Sequence, residues 1–191
     1  MSLQKFNTRT IVLILMIVAA AAMRLVSYKY PYILSNFTPV GAIALFGGAY
    51  FTDKWKAYLV VLVTLFASDM LLIYLRTSDF VLWSSSYPWV YLSFALMVFF
   101  GSFIKKANVI NVALASFTGV CIHWLLTDLP WVYGTYYPHT LAGYGQSLLA
   151  AIPFEKNMVL GDIVFCTILF GGFELAKSKY GILRSKKELA V

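Results

Sequence analysis

KAYLVVLVTLFASDMLLIYL, residues 56–75, is a run of helix-forming residues in which only Lys56 and Asp69 carry charge. A hydrocarbon core about 30 Å thick needs about 20 mostly apolar helical residues to cross it, so this stretch reads as a transmembrane helix. Five other segments fit the same criterion: 10–27, 34–52, 87–104, 108–127 and 155–177. The expected fold is an all-α membrane protein, a single domain over 1–191 with six transmembrane helices. The composition agrees, with 61% hydrophobic and 12% charged residues. Soluble domains average roughly half and about a quarter, so this chain has too little polar surface to cover a soluble globule. An ordinary soluble enzyme, a disordered tail and a nucleic-acid-binding domain are thereby excluded. The first span is read as retained and not as a cleaved signal peptide, because no polar domain follows it.

The basic residues sort with this count of spans. With the N-terminus in the cytoplasm, one side receives Lys5, Arg9, Lys54, Lys56, Lys105, Lys106, Lys177, Lys179, Arg184, Lys186 and Lys187. The other receives Arg24, Lys29, Arg76 and Lys156. That asymmetry predicts both termini inside, with 178–191 a basic cytoplasmic tail. The net charge of +7 is therefore an orientation signal before it is evidence of a polyanionic partner. The longest connection, 128–154, falls on the outer side between the fifth and sixth helices. Its semi-apolar part, Thr140 to Ile152, is too short to span. It reads as a lid or re-entrant piece, or equally as an amphipathic helix on the bilayer surface.

The chain lacks a G-x-x-x-x-G-K-[ST] phosphate loop, an H-E-x-x-H motif, clustered Cys/His ligands and a G-x-S-x-G elbow. Cys121 and Cys166 lie in apolar runs and give neither metal-ligand spacing nor a disulfide framework. No catalytic residue, metal site or cofactor is assigned, and the chain is not read as an enzyme.

Five features point elsewhere. Trp and Tyr crowd the outer connections: Tyr28, Tyr30, Tyr32, Trp83, Tyr87, Trp89, Trp131, Tyr133, Tyr136, Tyr137 and Tyr144. An interfacial belt explains aromatics at both faces; the one-sided excess fits a pocket that stacks a ligand. Asn36-Phe37-Thr38-Pro39 opens the second span, with Pro placed to start a helix after a Thr cap. That helix is either simply Pro-started or presents free N–H groups to an anion. Small residues follow at Gly41, Ala44 and Gly48, and the first span carries Ala19, Ala20, Ala21 and Ala22; both patterns suit close helix packing, within the chain or against a membrane partner. Finally, Asp69 and Asp162 lie deep in spans, where a charge needs a cavity, an ion or a partner. On the fifth helix Phe117, Cys121, Trp124 and Asp128 share a face, and on the sixth Asn157 and Gly161 do; both stripes suit a binding wall or plain packing.

The stretch Asn36-Phe37-Thr38-Pro39-Val40-Gly41-Ala42-Ile43-Ala44-Leu45-Phe46-Gly47-Gly48-Ala49-Tyr50-Phe51, with Ala150-Ala151-Ile152-Pro153-Phe154, Asn157, Gly161 and Asp162, resembles a bacterial family of uncharacterised transport-type membrane proteins. That family is similar to the S components of energy-coupling-factor (ECF) transporters, six-helix proteins with both ends in the cytoplasm. The resemblance covers almost the whole chain. It implies a multi-pass protein of the bacterial inner membrane that captures a vitamin or similar micronutrient. It also implies a T component and ATPases as separate partner chains, with Ala19–Ala22 as the docking face. The strict A-x-x-x-A docking motif is missing, since Met23 stands four residues after Ala19.

The expected outer pocket draws on 28–38, 76–90 and 128–154. In it Trp83, Trp89, Trp124, Trp131 and Tyr137 stack the ligand, and Asn36, Asp69, Asp128, Asn157 and Asp162 orient it. His139 is the candidate ligand should the micronutrient be a cobamide. The alternatives are a stand-alone secondary transporter, coupled to protons or sodium through Asp69 or Asp162, and a non-transport membrane scaffold.

Overall fold

The computed structural model describes residues 7–30 and 34–185. Lys5, Lys186, Lys187 and Tyr32 of the expectations above lie outside them, as does the tail from 186 on. The described residues contain helices and no strand. In order these are α1 (Thr8–Ala22), α2 (Arg24–Lys29), α3 (Val40–Tyr50), α4 (Lys54–Thr77), α5 (Tyr87–Gly101) and α6 (Val109–Thr127). A 3-10 turn (Pro130–Tyr133), α7 (Leu141–Cys166), a π segment (Thr167–Gly171), α8 (Gly172–Lys179) and a last 3-10 turn (Gly181–Leu183) follow.

Four stretches are long and apolar enough to cross a membrane: Thr8–Lys29, Lys54–Thr77, Val109–Thr127 and Leu141–Lys179. Their outward faces carry Leu15, Val63, Phe66, Leu114, Phe117 and Ile163, all exposed. Apolar surface on that scale suits lipid contact. The two remaining apolar helices are short, α3 with 11 residues and α5 with 15. At 1.5 Å per residue they rise only about 16 and 22 Å.

α3 is the centre of the bundle. Every residue from Val40 to Gly48 is buried, and the helix touches α1, α4, α5, α6 and α7. A helix that is apolar all round belongs in a core. Its small residues serve this packing. A Cβ on Gly48 would meet the Val98 carbonyl oxygen at 2.1 Å, and one on Gly101 the Leu45 oxygen at 2.5 Å. The α3 and α5 backbones thus cross in contact through paired glycines. Near its C-terminus, Phe46 and Tyr50 pack against Phe170 and Phe173 with ring centroids 4.6–5.7 Å apart. Arg9 of α1 donates to the Tyr50 and Leu183 carbonyls, both at 2.8 Å, and Tyr50 Oη donates to Glu174 at 2.6 Å. These bonds close one end of the bundle.

Two local expectations change. Pro39 sits at the N-cap of α3 and not at its first helical position, and Thr38 makes no side-chain cap; the Asp162 carboxylate of α7 lies against this turn instead. The 140–152 stretch is also no separate piece. It is the first half of α7, capped by Thr140 on the Gly143 amide, and the helical path runs unbroken from Leu141 to Lys179. Pro153 removes one ladder bond but does not end the helix. Bonds from other elements hold that half in place: Trp124 Nε1 donates to the Leu148 carbonyl at 2.9 Å, Tyr144 Oη to that of Leu125, and Ser147 Oγ to that of Asp128.

The glycine crossing gives a direct test. Gly48→Ala is expected to destabilise the protein by about 1–3 kcal/mol, because the backbones must separate. Gly145→Ala, where an added Cβ meets nothing within 4 Å, is expected to gain up to about 1 kcal/mol from helix propensity. Thermal melting of both variants in the same detergent checks the opposite signs.

Candidate functional site

Because α3 and α5 are short, the segments that precede them dip into the end of the bundle opposite the Arg9–Glu174 network. The residues before α3 are placed by α7. Asn157 Nδ2 donates to the Ser35 carbonyl at 2.9 Å. One turn on, a Cβ at Gly161 would sit 3.0 Å from the Thr38 oxygen, so glycine lets this segment lie on the helix. Ser27 Oγ holds the Phe37 carbonyl from α2 at 2.5 Å. Asn36 at the bend has φ +58°, a left-handed conformation that is uncommon outside glycine but less so for Asn.

An open recess results, with two lobes. The first, about 540 Å³, is walled by Arg24, Ser27, Tyr28, Asp69 and Arg76 among others. The second, about 440 Å³, is walled by His123, Thr127, Asp128, Tyr133 and Glu155. Asn36, Ser86, Val90 and Phe154 belong to both walls, so the lobes adjoin. Volumes of this order suit a small organic ligand.

The lobes differ in charge. In the first, Arg24 pairs with Asp69 at 2.6 Å and donates to Ser68 Oγ at 2.5 Å, while Tyr91 Oη donates to Asp69 at 3.0 Å. Arg76 lies over the Tyr28 ring, 5.6 Å from its centroid. In the second, His123 Nδ1 is 3.0 Å from Glu155 Oε1, and Tyr133 Oη donates to Asp128 Oδ1 at 2.5 Å. Burial holds the Asp128 carboxyl above the ordinary carboxylate range, with the Glu155 charge adding to the shift and the Tyr133 hydrogen bond opposing it. Burial and the same Asp128 contact push the Tyr133 hydroxyl up as well.

Of the residues expected to bind ligand, Asn36, Asp69 and Asp128 line the recess. Asn157 supports its floor from behind, through Ser35. The aromatic set lies elsewhere. Trp83 is 71% exposed; Trp89 and Trp131 contact one another at 6.1 Å; Trp124 is spent on the Leu148 carbonyl. Tyr137 packs on Tyr133 and Tyr136. His139 is exposed, its Nε2 2.8 Å from the Gly134 oxygen. Arg76, Ser86, His123, Phe154 and Glu155 line the recess without having been singled out for it. Each is an ordinary residue by sequence, and only the meeting of α4, α5, α6 and α7 makes them neighbours. Of Ala19–Ala22, Ala20 and Ala21 are buried, while Ala19 and Ala22 face outward.

Asp162 is 1% exposed and lines neither lobe but a separate cavity between α6 and α7. Ser116 Oγ donates to its Oδ2 at 2.7 Å. The carboxylate lies against the first turn of α3, and its Oδ1 closes no hydrogen bond. An added Cβ on Gly41 would stand 2.5 Å from Oδ1. The protein's own carboxylate therefore occupies the N-terminus of α3, where sequence allowed an external anion.

Two tests follow from this geometry. Gly41→Ala is expected to cost about 1–3 kcal/mol in the native background and clearly less beside Asp162→Ala, since the clash is with the carboxylate. A double-mutant cycle by thermal or denaturant melting checks for coupling above about 0.5 kcal/mol. For Asp128, a carboxyl raised on folding binds its proton more tightly in the native state. Its contribution to stability is then present at low pH and is lost as pH rises from the ordinary carboxylate range through the folded value. Asp128→Asn is expected to flatten that fall in a pH series of melting curves.

No curated protein and no solved structure matches the chain at a significant level. A family model described as a family of unknown function, DUF6580, matches residues 4–187. That match covers nearly the whole sequence, including every wall of the recess, and the chain belongs to this family.

Proposed function

We propose that the protein is the substrate-capturing subunit of an importer for a vitamin or related micronutrient, taking its ligand into the two-lobed recess. One observation carries this reading. The two helices too short to cross a bilayer both begin deep, at the same end, and the space above them is walled by paired and unpaired polar groups. Water-lined, irregular backbone at membrane depth is tolerated where it lines a cavity, and buried charges there point to ligands or ions.

In this reading the chain passes six times through the bacterial inner membrane, α3 and α5 doing so together with the segments that precede them. Both termini face the cytoplasm and the recess faces out, as the charge asymmetry expects. The exposed aromatics around the mouth, Trp83, Trp131 and Tyr136, then lie at the outer interface or meet an entering ligand. The likeness to S components supports a T component and ATPases as partners. The groove between α1 and α4, which includes Ala21, Ala22 and Ala67, is the docking face this reading favours. Capture needs no catalytic step and no cofactor. A cobamide held by His139 is the least supported ligand, because that histidine stands outside the lobes.

A secondary transporter is the second reading, favoured by His123 and Glu155 facing the recess at 3.0 Å. Asp69 and Asp162 suit ion coupling less well, each being held by partners within the fold.

Calorimetry of the purified protein in detergent against a panel of vitamins tests capture. At least one member is expected to bind with a Kd of about 1 μM or tighter, near −8 kcal/mol. If none binds to protein shown to be folded by its melting transition, the capture reading fails. Uptake of the bound vitamin into liposomes without any ATPase, lost when the ion gradient is dissipated, would instead establish the secondary transporter.

A further inference from the structure

Glu155 is the least satisfied group in the recess. It is 6% exposed. Its Oε1 meets His123, while its buried Oε2 has no hydrogen-bond partner. A buried carboxylate oxygen without a donor is costly and calls for an explanation. Asp128 brings a second carboxylate to the same lobe, satisfied by Tyr133 on one oxygen. That lobe therefore sets two carboxylates against a single histidine, and Glu155 Oε2 is the oxygen left without a donor.

The other lobe has the opposite deficit. Asp69 neutralises Arg24, yet the buried Arg24 Nε still closes no hydrogen bond. Arg76, on the same wall, has no carboxylate partner among the described residues and rests only on the face of Tyr28. This lobe therefore holds two guanidinium groups against the one carboxylate of Asp69. Between the two deficits lie Val90 and Phe154, which offer an apolar surface, and Asn36 and Ser86, which offer hydrogen bonds.

We infer that the ligand carries both charges. A carboxylate or phosphate lies in the lobe of Arg76 and Arg24, an ammonium or similar cationic donor reaches Glu155, and the connecting segment lies along Val90 and Phe154. This inference rests on the capture reading and narrows its substrate class. A singly charged molecule leaves one lobe's charge unanswered, which is how such a site rejects the wrong ligand. Arg offers a planar fork that matches carboxylate and phosphate, and a charged donor on Glu155 Oε2 makes the stronger class of hydrogen bond.

The test uses three probes of equal length, 6-aminohexanoate, hexanoate and hexylamine, together with whichever vitamin the panel yields. Binding is measured by calorimetry on the full chain in detergent, with Glu155→Gln and Arg76→Gln as variants. Arg76 is exposed, so its variant keeps the test alive should Glu155→Gln fail to fold. The zwitterion is expected to bind at least about tenfold more tightly than either relative. Glu155→Gln should erase its advantage over hexanoate, and Arg76→Gln its advantage over hexylamine. If the probes are too small to bind, the vitamin decides: it should carry both charges and weaken about tenfold or more in each variant. A singly charged vitamin, or one whose affinity ignores both substitutions, overturns the inference and leaves capture standing. Absence of any binding to folded protein removes both.

Discussion

The structure depends on burying a short helix. α3 is apolar on every side and reaches only about 16 Å, so it must be surrounded, and five helices surround it. Such a helix still has free N–H groups at its first turn. Here Asp162, fixed by Ser116, brings a carboxylate to that turn. Gly41 is the residue that admits it, since any side chain would collide with the carboxylate. Asp162 thus joins α7 to α6 through Ser116 and sets its carboxylate against the first turn of α3, where Thr38 supplies no side-chain cap.

The recess is a consequence of that joint. With α3 held low, residues 34–39 must descend to reach it, and Asn157 and Gly161 give them a surface to descend along. α5 starts equally late and is locked to α3 through Gly48 and Gly101. Polar side chains of α2, α4, α6 and α7 then face a space that no helix fills. The opposite end has no such space, because Arg9, Tyr50 and Glu174 close it. The asymmetry between a closed end and an open one arises from helix length.

Much of this was legible in the residues. The apolar runs gave the helices. The small residues at Gly41, Ala44 and Gly48 announced close packing. Asn36, Asp69 and Asp128 were placed in the region of the recess because polar groups in or beside apolar spans need a reason to be there. The aromatic residues misled for a physical reason. Trp and Tyr favour an interface as readily as a pocket, and composition cannot say which way a ring turns. Trp124, for example, is committed to a carbonyl one helix away.

The sequence by itself determined a helical chain with apolar runs able to cross a membrane, and which residues would be small where helices touch. Those properties are local, set by hydropathy, length and side-chain volume. Only the tertiary structure decided that Asp162 closes the fold while Glu155 faces the recess, although both are carboxylates two turns apart on one helix. It also decided that Thr140–Ile152 joins α7 across Pro153. Which neighbour meets a charge, and whether a bond from another helix offsets a missing one, depends on packing between segments distant in the chain, and no local pattern records that.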